Sequence, residues 1–187
     1  MQSMDIFLAP SPSIFTCMLK PFYLLHVVAA VIPALIVNRP STIFPKLFAF
    51  HKAIREDPET KDLKVASAGF CWGGKYTIHL TQETDLVDAG FTAHPSKMAF
   101  PVDWDKVQKP LSVAIGDVDL GIKVDMVKDI KVLLEGETKP QGQNEVVILP
   151  GAKHGFAIRA DPNDEGQVKS AGEATAQALA WFAKWLV

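Results

Sequence analysis

The stretch of sequence that decides the fold is GFCWGG, residues 69–74. The apolar run Leu63 to Gly69 predicts a β-strand, and Trp72 to Thr81 predicts the helix that follows it. Small residues two positions before and after Cys71 are typical of a sharp turn from strand to helix, because bulk there would collide where the two elements cross. Such a turn lifts the Cys71 side chain above the sheet, where it is a candidate nucleophile.

Strand-like and helix-like patterns alternate over residues 58–187. Further strands are predicted at 89–94, 111–115 and 145–149, and further helices at 124–135 and 171–187. Strands that alternate with helices pair in parallel through right-handed crossovers. The sequence therefore predicts an α/β fold in which helices flank a parallel sheet.

Residues 1–57 form a separate, apolar and helical segment in this interpretation. Six prolines, from Pro10 to Pro45, are expected to divide it into short helices. Residues 21–38 carry no charge, and their length is borderline for a membrane span of about 20 residues. A buried helix is the favoured interpretation, and membrane insertion through this run is the alternative.

Composition narrows the classes of function. The chain has 187 residues, 48% hydrophobic and 21% charged, which indicates one globular domain rather than a disordered chain. A net charge of −2 gives no basic surface for nucleic acid. Two cysteines, Cys17 and Cys71, cannot build a disulfide framework, and the clustered ligands of a structural zinc site are missing. We expect a protein without a metal site in a reducing, cytoplasmic compartment.

Candidate acids and a candidate base follow the cysteine in chain order. Asp117 and Asp119 come directly after the third predicted strand, and His154 comes after the fourth. Since parallel sheets place their sites at the carboxyl ends of strands, these side chains are expected near Cys71. Nucleophile, acid, base is the order of α/β-hydrolases. A histidine beside the thiol would accept its proton, and an aspartate would orient the imidazole.

Two further residues are candidates for the same site. The turn directs the backbone amide of Trp72 and the start of the next helix at an incoming oxyanion, and the same helix end should favour a thiolate. His94 ends the second strand and is a candidate for lining the site, although a packed histidine at the rim is the favoured interpretation.

Three segments together resemble the dienelactone hydrolase family, in its fungal-type branch: GFCWGGKY at 69–76, AHPS at 93–96 and GAKHGFAIR at 151–159. The similarity runs from about residue 40 to the C-terminus. It implies a cysteine-dependent hydrolase of lactones or related esters, with a small-molecule substrate and neither metal nor organic cofactor. By motif, Cys71 is the nucleophile, Asp119 the acid and His154 the base. Asp117 remains the alternative acid, and Arg159 is a candidate for binding a substrate carboxylate.

The chain departs from that family upstream of the cysteine. Family members usually begin with more strands, which carry a glycine-rich oxyanion loop and a glutamate beside the cysteine, whereas residues 1–38 contain neither glycine nor glutamate. We therefore expect the N-terminal strands to be missing, which leaves the elbow strand as an open edge available for self-association. The alternative function is that of a truncated, non-catalytic protein with a binding or membrane-associated role.

Overall fold

The computed structural model describes residues 14–122 and 124–187. Residues 1–13 of the predicted N-terminal segment lie outside the described part of the chain. The elements are α1 (Ile14–Val37), α2 (Pro40–Glu56), β1 (Ala66–Phe70), α3 (Trp72–Leu80), β2 (Ala89–Ala93), β3 (Leu111–Gly116), α4 (Val124–Glu135), β4 (Asn144–Leu149) and α5 (Glu165–Leu186).

The four strands form one sheet in the order β1-β2-β3-β4, and every neighbouring pair is parallel. The predicted α/β class, a parallel sheet with flanking helices, is confirmed. Among the described residues β1 pairs only with β2, so it is an edge strand, as the sequence predicted. Self-association through this edge stays a prediction.

Apolar side chains cover both faces of the sheet. Leu111, Val113 and Ile115 alternate along β3 and pack in a cluster with residues of α3 and α4. Ala114 points to the opposite face, where the second cluster includes Ala174 of α5. This period of two, with apolar residues on both faces, is what a strand buried between two layers of helices requires.

The chain divides into two compact units, residues 1–47 and 48–187. In the first unit α1 is a continuous helix, so the prediction of only short helices is wrong for Ile14–Val37. The physical reason is that an internal proline removes one hydrogen bond and bends a helix without ending it. Every described side chain of α1 is exposed except Val27, which is half-buried.

No single helix of the described residues is long and apolar enough to cross a membrane. One bent pair, Leu24–Val37 with Pro40–Glu56, meets the combined requirement of length and composition, with 52° between the helices. Membrane association through residues 21–38 stays a prediction.

In the second unit, a half-buried ion pair links the end of α2 to the segments that lead into β1 and β2. The Arg55 guanidinium lies 2.8 Å from the Asp88 carboxylate, which also accepts the Val65 backbone N–H at 2.8 Å. Partial burial raises the pKa of Asp88, but these two donors outweigh it and the pKa lies below its usual value. The pair fixes the chain just before β1, and therefore the approach to the elbow.

Helix α5 begins at Glu165, upstream of the predicted start at residue 171. The Asp164 side chain caps it by accepting the Gln167 backbone N–H at 3.1 Å. The apolar stripe of this helix begins only near Ala174, which is why periodicity alone located the start too late.

Candidate active site

Cys71 occupies the turn between β1 and α3 in a strained backbone conformation. Its φ is 52° and its ψ −120°, in a region that residues other than glycine rarely adopt. Strain of this kind costs on the order of 1–3 kcal/mol and persists only where surrounding contacts hold it. The elbow predicted from residues 69–74 is therefore present as a backbone feature.

Small residues are required at the elbow, although not at both of the positions predicted. A Cβ on Gly69 would meet the Thr77 hydroxyl and lie 2.5 Å from the Gly73 carbonyl oxygen. A Cβ on Gly73 would meet nothing within 4 Å, whereas one on Gly74 would lie 2.8 Å from the Pro95 Cβ. The prediction that position 73 must be small is thus wrong. The close approach is at Gly74, where α3 packs against Pro95 in the turn after β2.

These distances predict opposite effects for two alanine substitutions. Gly69→Ala is expected to destabilise the protein by about 1–3 kcal/mol, since the backbone it meets cannot rotate away. Gly73→Ala, its matched control in open helical space, is expected to stabilise by up to about 1 kcal/mol. Urea denaturation of both variants measures the difference, and equal midpoints would contradict the steric interpretation of the elbow.

Three of the sequence-predicted residues lie in continuous contact. The Cys71 Sγ is 3.1 Å from the His154 Nε2, and the His154 Nδ1 is 3.0 Å from each carboxylate oxygen of Asp119. The Asp119 side chain is fully buried and also accepts the Gly121 backbone N–H at 2.7 Å. Asp117 is placed elsewhere, where its carboxylate accepts the Gly151 backbone N–H at 2.7 Å. The structure therefore brings His154 together with Asp119 rather than with Asp117.

The electrostatics of this group favour separated charges on sulfur and imidazole. Partial burial raises the pKa of Cys71, but hydrogen bonds with His154, Ser96 and the Trp72 backbone N–H outweigh it and lower the pKa overall. Burial lowers the pKa of His154, but the contact with Cys71 and the charge of Asp119 raise it overall. A thiol with a lowered pKa beside an imidazole with a raised pKa tends toward a thiolate–imidazolium pair.

The other residues that the sequence predicted for this site, Trp72, His94 and Arg159, differ in burial and in their contacts with Cys71. A hydrogen bond from the Trp72 backbone N–H contributes to lowering the pKa of the Cys71 thiol. His94 is fully buried, and its Nδ1 accepts the Cys71 backbone N–H at 3.2 Å, so its ring is packed and does not face solvent. Arg159 is exposed, and its side chain lies over Gly155.

A shallow cavity of about 390 Å³ opens beside His154. Val118, Leu120, Lys153 and His154 line it, and Leu120 is fully exposed there. A larger hollow of about 640 Å³ lies between α4 and β4, around Glu135 and Lys139, and does not include Cys71 or His154. Among residues 14–122 and 124–187 no group of three histidine, cysteine or acidic side chains could hold a metal ion.

Sequence reasoning missed Ser96 as a neighbour of the nucleophile. Its hydroxyl lies 3.6 Å from the Cys71 sulfur, although 25 residues separate the two in the chain. The residue stands within the quoted AHPS segment, but no spacing rule connects a turn after β2 with a turn after β1. The parallel pairing of Phe70 with Ala93 is what brings the two turns together.

Comparisons with known proteins agree with the fold. Residues 28–186 match the model of the dienelactone hydrolase family, and the chain belongs to that family. The match confirms the resemblance and begins upstream of residue 40, where the motifs placed its start. The crystal structure of dienelactone hydrolase from Anabaena variabilis superposes with a TM-score of 0.59 at 23% identity, over 79% of this chain and 61% of that one.

Two curated fungal proteins are similar in sequence. Hydrolase tropI of Talaromyces stipitatus is 28% identical over 79% of this chain and 55% of its own length. Hydrolase pyvD of Aspergillus violaceofuscus is 26% identical over 66% of this chain and 48% of its own length. The chain thus spans about half the length of the curated relatives it matches. The family to which the chain belongs is one of hydrolases.

Proposed function

We propose that this chain hydrolyses carboxylic esters or lactones, with Cys71 as nucleophile, His154 as general acid and base, and Asp119 as the residue that orients the imidazole. The observation that carries the proposal is the continuous contact from sulfur to imidazole to buried carboxylate, at 3.1 and 3.0 Å. Membership in the dienelactone hydrolase family supports the substrate class.

Acylation begins with the thiolate. The Cys71 sulfur attacks the carbonyl carbon, and the carbonyl π electrons move onto oxygen to give a tetrahedral oxyanion. The Trp72 backbone N–H, which follows the nucleophile at the start of α3, donates to that oxygen. As the intermediate collapses, the bond to the leaving oxygen breaks and His154 delivers its Nε2 proton to the departing alkoxide. A thioester on Cys71 remains.

Deacylation uses the same groups in reverse. His154, now neutral, takes a proton from water through Nε2, and the hydroxide equivalent attacks the thioester carbonyl. The sulfur leaves as a thiolate, which restores the charge pair with the imidazolium. Throughout, the Asp119 carboxylate holds the proton on Nδ1 and stabilises the positive ring.

Turnover of a short-chain p-nitrophenyl ester and of an unsubstituted aliphatic lactone tests the proposal. Cys71→Ala is expected to lower the rate by on the order of 1000-fold or more, because the reaction then has no nucleophile. Cys17→Ala, which alters the other cysteine of the sequence, is the matched control and should retain full activity. Circular dichroism verifies that each variant is folded.

The outcome that contradicts the proposal is equally specific. Hydrolysis that persists in Cys71→Ala at the rate of the unsubstituted protein would show that the activity does not pass through this sulfur. Mass spectrometry after a rapid acid quench should show one acyl group on the unsubstituted protein and none on Cys71→Ala.

A further inference from the structure

The turn 93–96, which begins at the last residue of β2, contacts Cys71 on several sides. The Cys71 N–H donates to the Ala93 carbonyl oxygen at 3.3 Å and to the His94 Nδ1 at 3.2 Å. The Cys71 carbonyl oxygen accepts the Ser96 N–H at 3.0 Å, and the Ser96 hydroxyl lies 3.6 Å from the sulfur. One short turn therefore contacts the amide, the carbonyl and the side chain of Cys71.

The position of Ser96 within this turn is set by its neighbours. His94 and Lys97 both adopt left-handed backbone conformations, with φ of 40° and 55°, which reverse the chain tightly on either side. Left-handed residues other than glycine persist only where contacts hold them. Burial of the His94 ring and its bond to the Cys71 N–H provide such contacts.

An ion pair between half-buried Lys75 and buried Asp103 links the segment that follows Ser96 to α3. The Lys75 Nζ donates to the Lys97 carbonyl oxygen at 3.1 Å and to the Asp103 carboxylate at 2.9 Å. The same carboxylate lies 2.8 Å from the His79 Nε2 and accepts the Ala99 N–H at 2.6 Å. Because Cys71 is the residue directly before α3, these bonds tie the turn to the element that carries the nucleophile.

The Ser96 hydroxyl can act only as a hydrogen-bond donor to the sulfur when the sulfur is ionised. A thiolate accepts hydrogen bonds and cannot donate them, so the Ser96 O–H must be the donor in that pair. The separation of 3.6 Å is within the longer reach of a large sulfur acceptor. Ser96 is half-buried, so water competes only in part for this bond.

We propose that Ser96 is a positioning residue for the nucleophile: its hydroxyl donates to the Cys71 thiolate, so that the sulfur is held between Ser96 and His154. The inference rests on the proposed function and deepens it by naming a further side-chain donor, besides His154, that keeps the thiolate ionised. The turn 93–96 supplies this donor from β2, while the loop after β4 supplies the imidazole.

The titratable groups around the sulfur are His154, Asp119 and His94. His154 faces it directly, and Asp119 stands behind His154. Burial, together with the charge on His154, lowers the pKa of His94 to about 4, so that ring is neutral near pH 7. With Nδ1 accepting from Cys71, the His94 proton resides on Nε2 and adds no positive charge beside the imidazolium.

The pH dependence of Cys71 alkylation by iodoacetamide tests the proposal in the full chain. Ser96→Ala is expected to raise the thiol pKa by about one unit, which leaves about tenfold less thiolate at a pH well below that value. Ser96→Thr keeps a hydroxyl and should restore most of the shift. Ser170→Ala, whose hydroxyl bonds the Gly166 carbonyl oxygen on α5, should match the unsubstituted protein.

The result that overturns the proposal is an unchanged thiol pKa in folded Ser96→Ala. A shift that Ser96→Thr fails to rescue would also overturn it, because repacking of the turn rather than the hydroxyl would then be responsible. Alkylation needs no ester turnover, so it distinguishes the two proposals. A shifted thiol pKa in a protein without hydrolase activity would refute the proposed function and leave the role of Ser96 intact.

Discussion

Replacing Asp119 by asparagine is expected to lower kcat/KM for ester hydrolysis by on the order of 10³ to 10⁴-fold. The amide keeps the shape of the side chain but loses the negative charge that stabilises the imidazolium. It also places an NH₂ donor at one of the two positions that lie 3.0 Å from the His154 Nδ1. The proton then resides on Nε2, facing the sulfur, and His154 cannot accept the Cys71 proton.

Asp117→Asn is the matched control for this prediction. Asp117 lies on the same loop, but its carboxylate accepts only the Gly151 N–H among the described residues, and it does not contact His154. Steady-state kinetics of the two variants should therefore differ by at least about 100-fold. A loss in Asp117→Asn alone would show that Asp117 orients the imidazole. A comparable loss in both variants would contradict the assignment of that role to Asp119 alone.

Alanine at position 116 is expected to cause the largest loss of stability. A Cβ on Gly116, at the end of β3, would overlap the Ala152 carbonyl oxygen and lie 2.6 Å from its carbonyl carbon. Both atoms are backbone, so no side-chain rotation relieves the overlap. We expect a loss of roughly 3 kcal/mol in the free energy of unfolding, at the upper end of the range for overpacking. Because the displaced backbone leads directly to His154, ester turnover should fall as well.

Gly172→Ala is the control for that substitution. Gly172 lies within α5, and a Cβ there would meet nothing within 4 Å, so alanine should stabilise the helix by up to about 1 kcal/mol. Urea denaturation followed by circular dichroism measures both variants. If Gly116→Ala unfolds at the same urea concentration as the unsubstituted protein, the close approach of β3 to the loop after β4 is not required.

The elements near the site were predictable because their patterns are local. The apolar runs of β3 and β4 and the periodicity of α4 are properties of consecutive residues, and their observed bounds agree closely with the predicted ones. The bounds of α5 and the length of α1 were not predictable in this way. An aspartate such as Asp164 can cap a helix or lie in a loop, and a proline can end a helix or only bend it. The packing of the rest of the chain decides which of these occurs.

The choice between Asp117 and Asp119 shows the limit of local reasoning at the site. Both carboxylates follow the same strand, and residue type alone permits either as the partner of an imidazole. Family resemblance favoured Asp119. In the structure the turn directs Asp119 inward, where it is buried against His154, while Asp117 remains at the surface and bonds a backbone amide.

By itself, the sequence determined which groups are available: a cysteine on a strand-to-helix turn, a histidine and two aspartates in loops that follow parallel strands, and membership in the dienelactone hydrolase family. Only the tertiary structure decided that Gly74, rather than Gly73, is the position where α3 packs closely against Pro95, and that Ser96 lies beside the sulfur. The physical reason is that contacts across a parallel sheet depend on strand register, which brings together residues with no regular spacing in the chain.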